Sequence, residues 1–593
     1  GRSPIILAGM TPTTVDPDIV AAAANAGHWA ELAGGGQVTE EVFSQNLAKL
    51  RELLNPGEAA QFNAMFLDRY LWNLQFGTQS VVLKARAAGA PLDGVVISAG
   101  IPEVDEAVAL IEEFNAVGMP YVAFKPGTVA QIRQVLAIAE AVPQFPLIIQ
   151  VEDGHAGGHH SWENLDDLLF TTYAEIRSYD NVVLCVGGGI GTPERAADYL
   201  SGGWATSRGF SPMPVDGVLV GTAAMTVKEA KTTPEVKQLL LETAGIPGAA
   251  SEDEHGGWIA VGHTRGGMTS GLSHLRADIH EIDNAAAACA RLIAEVSGDE
   301  EKIAERRDEI IAALDATSKP YFGDVDQMSY AQWARRFAEL SYPWVDDTWI
   351  DRFLDLLHRA EGRLSESAHG EIVTLFPDLD SVRDPWAALT ALEGAYPNAN
   401  IIEVAPTDAA WFVDLCRKHP KPMPFVPVLD DDILRWWGQD NLWQSQDPRY
   451  SADEVRIIPG PVSVAGIDRV DEPVGDLLGR FEQACVDRAV AAGVTPEPRF
   501  SRLADAADPV EFLIAAPNIM WSGNLIANPA HQLPRESLTF TPQEGNEGVY
   551  DVTISFDTYW DDLPGGSDNH AVRSLTIPMA IPADVASGGA PVV

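Results

Sequence analysis

Three histidines and three glycines crowd into residues 154–160, at the end of the stretch IIQVEDGHAGGHH (148–160). An apolar run that is typical of a buried strand ends in these residues. An imidazole titrates near neutral pH and can pass protons, and a glycine such as Gly158 lets the backbone approach a flat ligand closely. His159 is therefore a candidate for proton transfer beside a redox-active ring.

Two other interpretations of these histidines stay open. His155, His159 and His160 could bind a metal ion, although the Ala-Gly-Gly between the first two is a poor helix interior for zinc ligands spaced four residues apart. The segment could also be a structural loop whose histidines bond locally.

Further polar side chains end other apolar runs. Lys125, in YVAFKPG (121–127), could form a Schiff base, contact a cofactor or make a salt bridge. Asn63 and Ser98 lie at or near the ends of two more runs and could hydrogen-bond the polar edge of a ring, or cap a local turn.

Two glycine clusters, GGGIGT (187–192) and GTAA (221–224), follow the last two apolar runs of the first third of the chain. Bare backbone N–H groups at such places bind phosphate. The phosphate would belong to a substrate or to a mononucleotide cofactor such as FMN, while tight turns are the simpler alternative.

Eight short apolar segments, alternating with helical patterns, must position these residues. They are PIILAGM (4–10), WAELAGGG (29–36), FNAMFLD (62–68), DGVVISAG (93–100), YVAFKPG (121–127), PLIIQVEDG (146–154), NVVLCVGGG (181–189) and DGVLVGT (216–222). Continuous apolar strands alternating with helices indicate parallel strands buried on both faces. Eight such units favour a (β/α)8 barrel over an open doubly wound sheet, with the polar strand ends at its mouth.

The composition suits a globular protein of several domains. The chain has 593 residues, of which 46% are hydrophobic, and a formal charge of −45, which argues against a nucleic-acid partner. Four scattered cysteines argue against a disulfide framework and suit a reducing, cytoplasmic setting. No apolar run approaches a membrane helix, and the missing initiator Met predicts a segment of a longer polypeptide.

The motifs resemble a known family. AGGHH with GGGIG and DGVLVGT resembles flavin-dependent enoyl reductases and nitronate monooxygenases. The longer motifs resemble the enoyl reductase of type I fatty acid synthases, fungal or of the mycobacterial and corynebacterial type, and the bacterial type is the one expected here. These motifs are ELAGGG (31–36), FNAMFLD, FKPG (124–127), AGGHHSWEN (156–164), GTAAMTVKEAKTTPEVK (221–237), KPYFGD (319–324), KPMPFVP (421–427), DNLWQS (440–445) and DEPVGDLL (471–478).

The resemblance implies an FMN-binding TIM barrel, NADPH as hydride donor and an enoyl thioester on an acyl carrier protein domain as substrate. His159 would be the catalytic histidine, assisted by Lys125. The residues expected to bind FMN are Gly188, Gly189, Gly221 and Thr222 at its phosphate, and Gly9, Met10, Thr11, Asn63, Ser98, Lys125 and Gly158 around its ring. Glu152, Asp153 and His155 depart from the fungal pattern. The resemblance also implies other domains of the same synthase as partners, and a hexamer.

The sequence pattern divides the chain into four expected regions. We expect the barrel over 1–245, a helical extension over 246–340, a mainly helical connector without catalytic residues over 341–495, and a β-rich, hot-dog-like start of a dehydratase region over 496–593. The segment VGHTRGGMTSGLSH (261–274), which includes His274, could meet NADPH phosphates or be a solvated loop, and His570 is expected to be structural.

Two rival functions remain at this level. A nitronate monooxygenase-type barrel would use FMN without NADPH, and the long tail after the barrel disfavours it. The second rival is a scaffold segment that has lost its flavin. The presence of both glycine clusters and His159 disfavours it.

Overall fold

The computed structural model describes residues 2–246, 259–273, 275–365, 373–418, 423–438 and 441–491, and five strands between 518 and 580. His274 and His570 lie outside the described residues. The chain forms two compact units, Gly1–Cys485 and Val486–Val593. The boundaries of the four predicted domains stay predictions.

The first unit begins with strands that alternate with helices. The strands are β1 (Ile5–Leu7), β2 (Trp29–Ala33), β3 (Ala60–Met65), β4 (Leu92–Ser98), β5 (Tyr121–Phe124), β6 (Leu147–Glu152), β7 (Gly158–His159), β8 (Val182–Gly187) and β9 (Gly217–Val220). The helices are α1 (Pro17–Asn25), α2 (Glu40–Leu53), α3 (Arg69–Gln75), α4 (Val81–Ala87), α5 (Val104–Ala116), α6 (Val129–Ala141), α7 (Leu165–Ile176), α8 (Pro193–Ser201), α9 (Gly203–Thr206) and α10 (Pro234–Glu242).

All of these strands except β7 close into one parallel barrel, in chain order. This confirms the predicted eight-stranded barrel. Residues that face outward, such as Leu7 and Ile149, pack under the helices, while Ile6, Val96 and Ile148 fill the interior. Because both faces are covered, the strands are apolar along their whole length.

Local signals in the sequence set the ends of the elements. The Asp16 side chain caps α1 by accepting from the Asp18 N–H, and Pro17 occupies the first turn, where its missing N–H costs nothing. Gly27 follows the helix with φ +91°, a conformation that glycine adopts without strain. The chain can therefore turn directly into β2.

A small antiparallel sheet follows the barrel. Its strands β10 (Thr264–Arg265), β11 (Met268–Leu272) and β12 (Asp278–Ile282) form a meander, and β7 pairs with β12 at its edge. The stretch 246–340, expected to be a helical extension, therefore also contains strands. Within the segment 261–274, residues 264–272 form the β10–β11 hairpin rather than a loop alone.

A helical region completes the first unit. Its helices are α11 (Ala285–Val296), α12 (Glu300–Glu305), α13 (Arg307–Asp315), α14 (Tyr330–Ser341), α15 (Asp347–Leu364), α16 (Pro385–Ala395), α17 (Pro406–Lys418), α18 (Ile433–Gly438), α19 (Pro461–Val464) and α20 (Val474–Ala491), the last of which runs into the second unit. Its core combines aliphatic and aromatic side chains, among them Phe337 and Phe353, which stack with ring centres 5.9 Å apart. Among the described helices, none is both long and apolar enough to cross a membrane.

The second unit is described through five strands. β13 (Asn518–Trp521) and β14 (Asn524–Ala527) form an antiparallel pair, and β15 (Leu538–Pro542), β16 (Val549–Ser555) and β17 (Ser574–Ala580) form an antiparallel sheet. The predicted β-rich character is observed in these strands, and the hot-dog-like fold stays a prediction.

Candidate active site

A cavity of about 540 Å³ lies at the carboxyl ends of the barrel strands. Its size falls within the range of about 300–1,000 Å³ that is usual for small-molecule sites. The predicted site residues that line it are Gly9, Met10, Thr11, Asn63, Ser98, Lys125, Gly158, His159, Gly188, Gly221 and Thr222. Gly189 lies outside the lining, next to Gly188. The fold thus brings residues from seven barrel strands or their following loops to one cavity.

A buried carboxylate, Glu31 on β2, organises the floor of this cavity. Its Oε2 accepts hydrogen bonds from the Gly9 N–H (2.8 Å) and Asn63 Nδ2 (2.7 Å), and its Oε1 accepts from Gln150 Nε2 (2.9 Å). Lys125 Nζ lies 3.5 Å from Oε2. No motif pointed to Glu31, although a charged residue inside the apolar run WAELAGGG was a usable signal in the sequence.

Polar contacts continue from this floor to the cavity wall. Ser98 Oγ donates to Asn63 Oδ1 at 2.9 Å, so the two residues expected at a ring edge are joined. Of the three roles expected for Lys125, the structure shows the salt bridge, with Glu31. Lys125 also faces Glu152. Burial, opposed by the Lys125 charge, raises the pKa of Glu152 above its usual value.

The glycine clusters form the opposite wall. Gly188 and Gly189 adopt φ +81° and +64°, which only glycine tolerates easily. In the described part of the chain, no acceptor pairs with the backbone N–H groups of Gly188, Gly189, Gly221 or Thr222. Unpaired N–H groups beside a cavity fit an anionic group such as a phosphate.

His159 lies at a third side of the cavity, held by the small sheet rather than by β6. Its backbone pairs with Ile279 of β12, and its Nε2 lies 2.8 Å from Ser273 Oγ. Burial, the positive charge of Arg456 and nearby His160 together lower the pKa of His159 to about 4. The imidazole is therefore neutral at pH 7.

The other two histidines of the cluster have separate environments. His155 is buried and bonds Asp153 Oδ1 through Nδ1 at 2.9 Å, and neither residue lines the cavity. His160 stacks on His280, with ring centres 3.9 Å apart. Among the described residues, no group of three or more His, Cys, Asp or Glu side chains is arranged to hold a metal ion.

The segment 441–463 crosses the mouth of the barrel and lines the cavity, among others through Trp443, Arg456 and Ser463. The connector, expected to hold no catalytic residues, thus contributes to the cavity wall, and that expectation stays a prediction. A Cβ built on Gly460 would lie 2.8 Å from the His155 carbonyl oxygen, so this segment touches the histidine loop backbone to backbone. Local sequence patterns carry no information on such a long-range contact.

Comparisons with known proteins agree with this geometry. Residues 146–478 match the family model "Fatty acid synthase subunit beta/Fas1-like, helical", and residues 512–593 match "Fatty acid synthase, SBS domain". The chain is 36% identical over 514 residues to the fatty acid synthase subunit beta of Gibberella zeae, covering 82% of this chain and 24% of that protein. The corresponding subunit of Saccharomyces cerevisiae is 31% identical over 502 residues, covering 81% and 24%.

The chain thus spans about a quarter of the length of these curated relatives. A solved enoyl reductase domain of MlnA from Bacillus amyloliquefaciens is 12% identical, with a TM-score of 0.43, over 82% of this chain and 96% of that one, which is too distant to bear on function. The narrower expectation of a mycobacterial or corynebacterial type is not supported, since the matched relatives are fungal. The chain belongs to the fatty acid synthase subunit beta/Fas1-like family.

Proposed function

We propose that this chain carries out the enoyl reductase step of fatty acid synthesis, with NADPH as hydride donor, FMN as carrier and an enoyl thioester on acyl carrier protein as substrate. One observation carries the proposal: a single cavity at the barrel mouth joins His159, Lys125 and the two glycine loops that follow β8 and β9. The family membership supports fatty acid synthesis as the context.

The cavity fits FMN in two respects. The unpaired N–H groups of Gly188, Gly189, Gly221 and Thr222 would hold its phosphate. The FMN-ring contacts would come from Gly9, Met10, Thr11, Asn63, Ser98, Lys125 and Gly158, of which Asn63 and Lys125 are fixed by Glu31. Bound FMN would supply two-electron chemistry between NADPH and the β-carbon of the thioester.

His159 would polarise the thioester carbonyl rather than release a proton from an imidazolium. With a pKa of about 4, only about one molecule in 1,000 carries the charged imidazole at pH 7. A neutral ring still donates one N–H hydrogen bond, and Ser273 fixes its orientation from Nε2.

The wider setting follows from the family. We propose the acyl carrier protein domain and the other domains of the synthase as partners, a hexamer as the assembly of the full synthase and the cytoplasm as its location. The start of a hot-dog-like dehydratase region over 496–593 belongs to the same proposal.

An anaerobic absorbance titration tests the function. NADPH should bleach a flavin band of the FMN-loaded protein, and crotonyl thioester should then restore it. A band that NADPH leaves unchanged would favour the nitronate monooxygenase-type reaction. A protein that binds no added FMN would be the scaffold segment.

A further inference from the structure

We propose that Arg456 is a further catalytic residue, whose guanidinium stabilises the negative charge that develops on the thioester oxygen during reduction. The inference rests on the proposed enoyl reductase function and names a residue that neither the motifs nor the comparisons point to. It starts from a buried arginine that faces a ligand cavity.

Two contacts fix the Arg456 side chain. Its Nε donates to Glu281 Oε2 at 2.7 Å, and its Nη2 donates to the Leu272 carbonyl oxygen at 3.0 Å. Only 3% of the residue is exposed, yet it lines the cavity. In the described part of the chain, no acceptor pairs with Nη1, so this edge of the guanidinium has hydrogen-bonding capacity left for a ligand.

The same contacts bring Arg456 close to His159. Leu272, which accepts from Arg456, precedes Ser273, which bonds His159 Nε2. The positive charge of Arg456 contributes to the lowered pKa of His159, second only to burial, which requires the two side chains to be near each other. Two hydrogen-bond donors, one charged and one neutral, therefore share one side of the cavity.

The reaction creates a charge that such a pair would stabilise. Hydride addition forms a C–H bond at the β-carbon, and the electron pair of the C=C bond moves to the α-carbon and onto the thioester oxygen. A proton then adds to the α-carbon, so that enoyl thioester, NADPH and one proton give the saturated thioester and NADP⁺. Donors held in advance at the oxygen lower the barrier because they need no reorganisation as the charge appears.

Arginine suits this task better than a second histidine. Its guanidinium stays protonated at any working pH, and charge-assisted hydrogen bonds are stronger than neutral ones. Glu281 compensates the charge before substrate binds. A purely structural pair would not need a cavity-facing edge, and apolar residues would often serve stability as well.

The experiment compares Arg456→Lys with the double variant Arg456→Met/Glu281→Gln, which removes the ion pair without leaving a lone buried carboxylate. Arg291→Gln is the matched control, because Arg291 contacts Thr269 of the same sheet but does not line the cavity. Stopped-flow absorbance separates flavin bleaching by NADPH from recovery with crotonyl thioester. Infrared spectra of crotonyl thioester labelled with ¹³C at the carbonyl, bound to the oxidised protein, report polarisation without turnover.

We expect both Arg456 variants to keep their FMN and to be bleached by NADPH within about twofold of the wild-type rate. Recovery should slow about 10²–10³-fold, as when one oxyanion donor is removed, and the carbonyl band should lie closer to its position in water. Arg291→Gln should match the wild type in both measurements.

An unchanged recovery rate and carbonyl band in folded, FMN-loaded Arg456→Lys and in the double variant would overturn the role of Arg456 alone, with the wild type still turning over. Slower bleaching by NADPH with normal recovery would also overturn it, and would place Arg456 at the nicotinamide. If the wild type itself fails both half-reactions, the proposed function falls, and this inference falls with it.

Discussion

The mouth of the barrel and the helical region downstream place their buried charges differently with respect to the cavity. Around the cavity, Glu31, Arg456 and Glu281 are charged and almost fully buried. Among the described residues of 285–437, the core is built from aliphatic and aromatic side chains, buried carboxylates such as Glu361 and Asp408 bond within the region, and none of these residues lines the cavity. The difference distinguishes the region that lines the cavity from a region that packs away from it.

The physical reason lies in the cost of burying charge. A carboxylate or guanidinium leaves water at a cost of several kcal/mol, and only accurate pairing recovers it. Apolar aromatic burial has no such cost. Asp408 of the helical region is also buried, but it is paired with Arg359 and Arg363 away from the cavity. A buried charge that faces the cavity, such as Arg456, therefore indicates where function, rather than stability alone, shapes the structure.

The largest expected effect is on FMN binding at the glycine loops that follow β8 and β9. Gly221→Asp should abolish FMN binding, because a carboxylate would face the phosphate and like charges in contact cost several kcal/mol. The measurement is flavin absorbance after dialysis against FMN. Gly221→Ala is the control: its Cβ would lie 3.3 Å from Met10 Sδ, the end of a flexible side chain, and FMN should remain. Full flavin occupancy in the Asp variant would refute this location of the phosphate site.

His159→Ala should separate catalysis from cofactor binding at the same mouth. We expect normal FMN content and recovery of the flavin band with crotonyl thioester slowed about 10²–10³-fold, the usual loss when one hydrogen-bond donor to a developing oxyanion is removed. His263→Ala, at an exposed position, should leave the FMN content and the recovery with crotonyl thioester unchanged. Loss of flavin from His159→Ala would instead indicate a structural histidine.

Phe337→Ala tests how the core of the helical region contributes to stability. Removing this buried ring should lower the free energy of unfolding by about 3–5 kcal/mol, through lost burial and the cavity left behind, without altering the rates of either flavin half-reaction. Urea unfolding followed by circular dichroism measures the first, and stopped-flow absorbance the second. Val345→Ala, at a half-exposed position, is the control. Altered flavin rates in native Phe337→Ala would blur the division between the two regions.

The smallest effect concerns pH. Because burial lowers the pKa of His159 from 6.5 to about 4, the unfolded chain binds more protons than the folded one between these values, and stability falls as pH decreases through this window. His159→Gln should reduce that slope by up to about 1.4 kcal/mol per pH unit. Urea titrations from pH 7 to pH 4 measure it, with His263→Gln as control. An identical slope in both variants would mean that His159 titrates normally in the folded protein.

Much of the barrel was predictable from the sequence. The eight apolar runs overlap the eight barrel strands because parallel strands covered on both faces must be apolar along their length. Polar residues at the ends of these runs lie at the mouth because the carboxyl ends of all the parallel strands lie at the same end of the barrel. The two-residue strand β7 was not predictable, since it has no periodicity and exists only through its pairing with β12.

The sequence by itself determined the parts that local chemistry encodes: the strands, the glycine loops and His159 in AGGHH. Only the tertiary structure decided which distant residues join them. Ser273 bonds His159 across 114 residues of chain, and Arg456 bonds Glu281 across 175. Such contacts depend on barrel closure and on the segment that crosses its mouth. Their free energy comes from burial and pairing between remote segments, and no local pattern in the sequence records it.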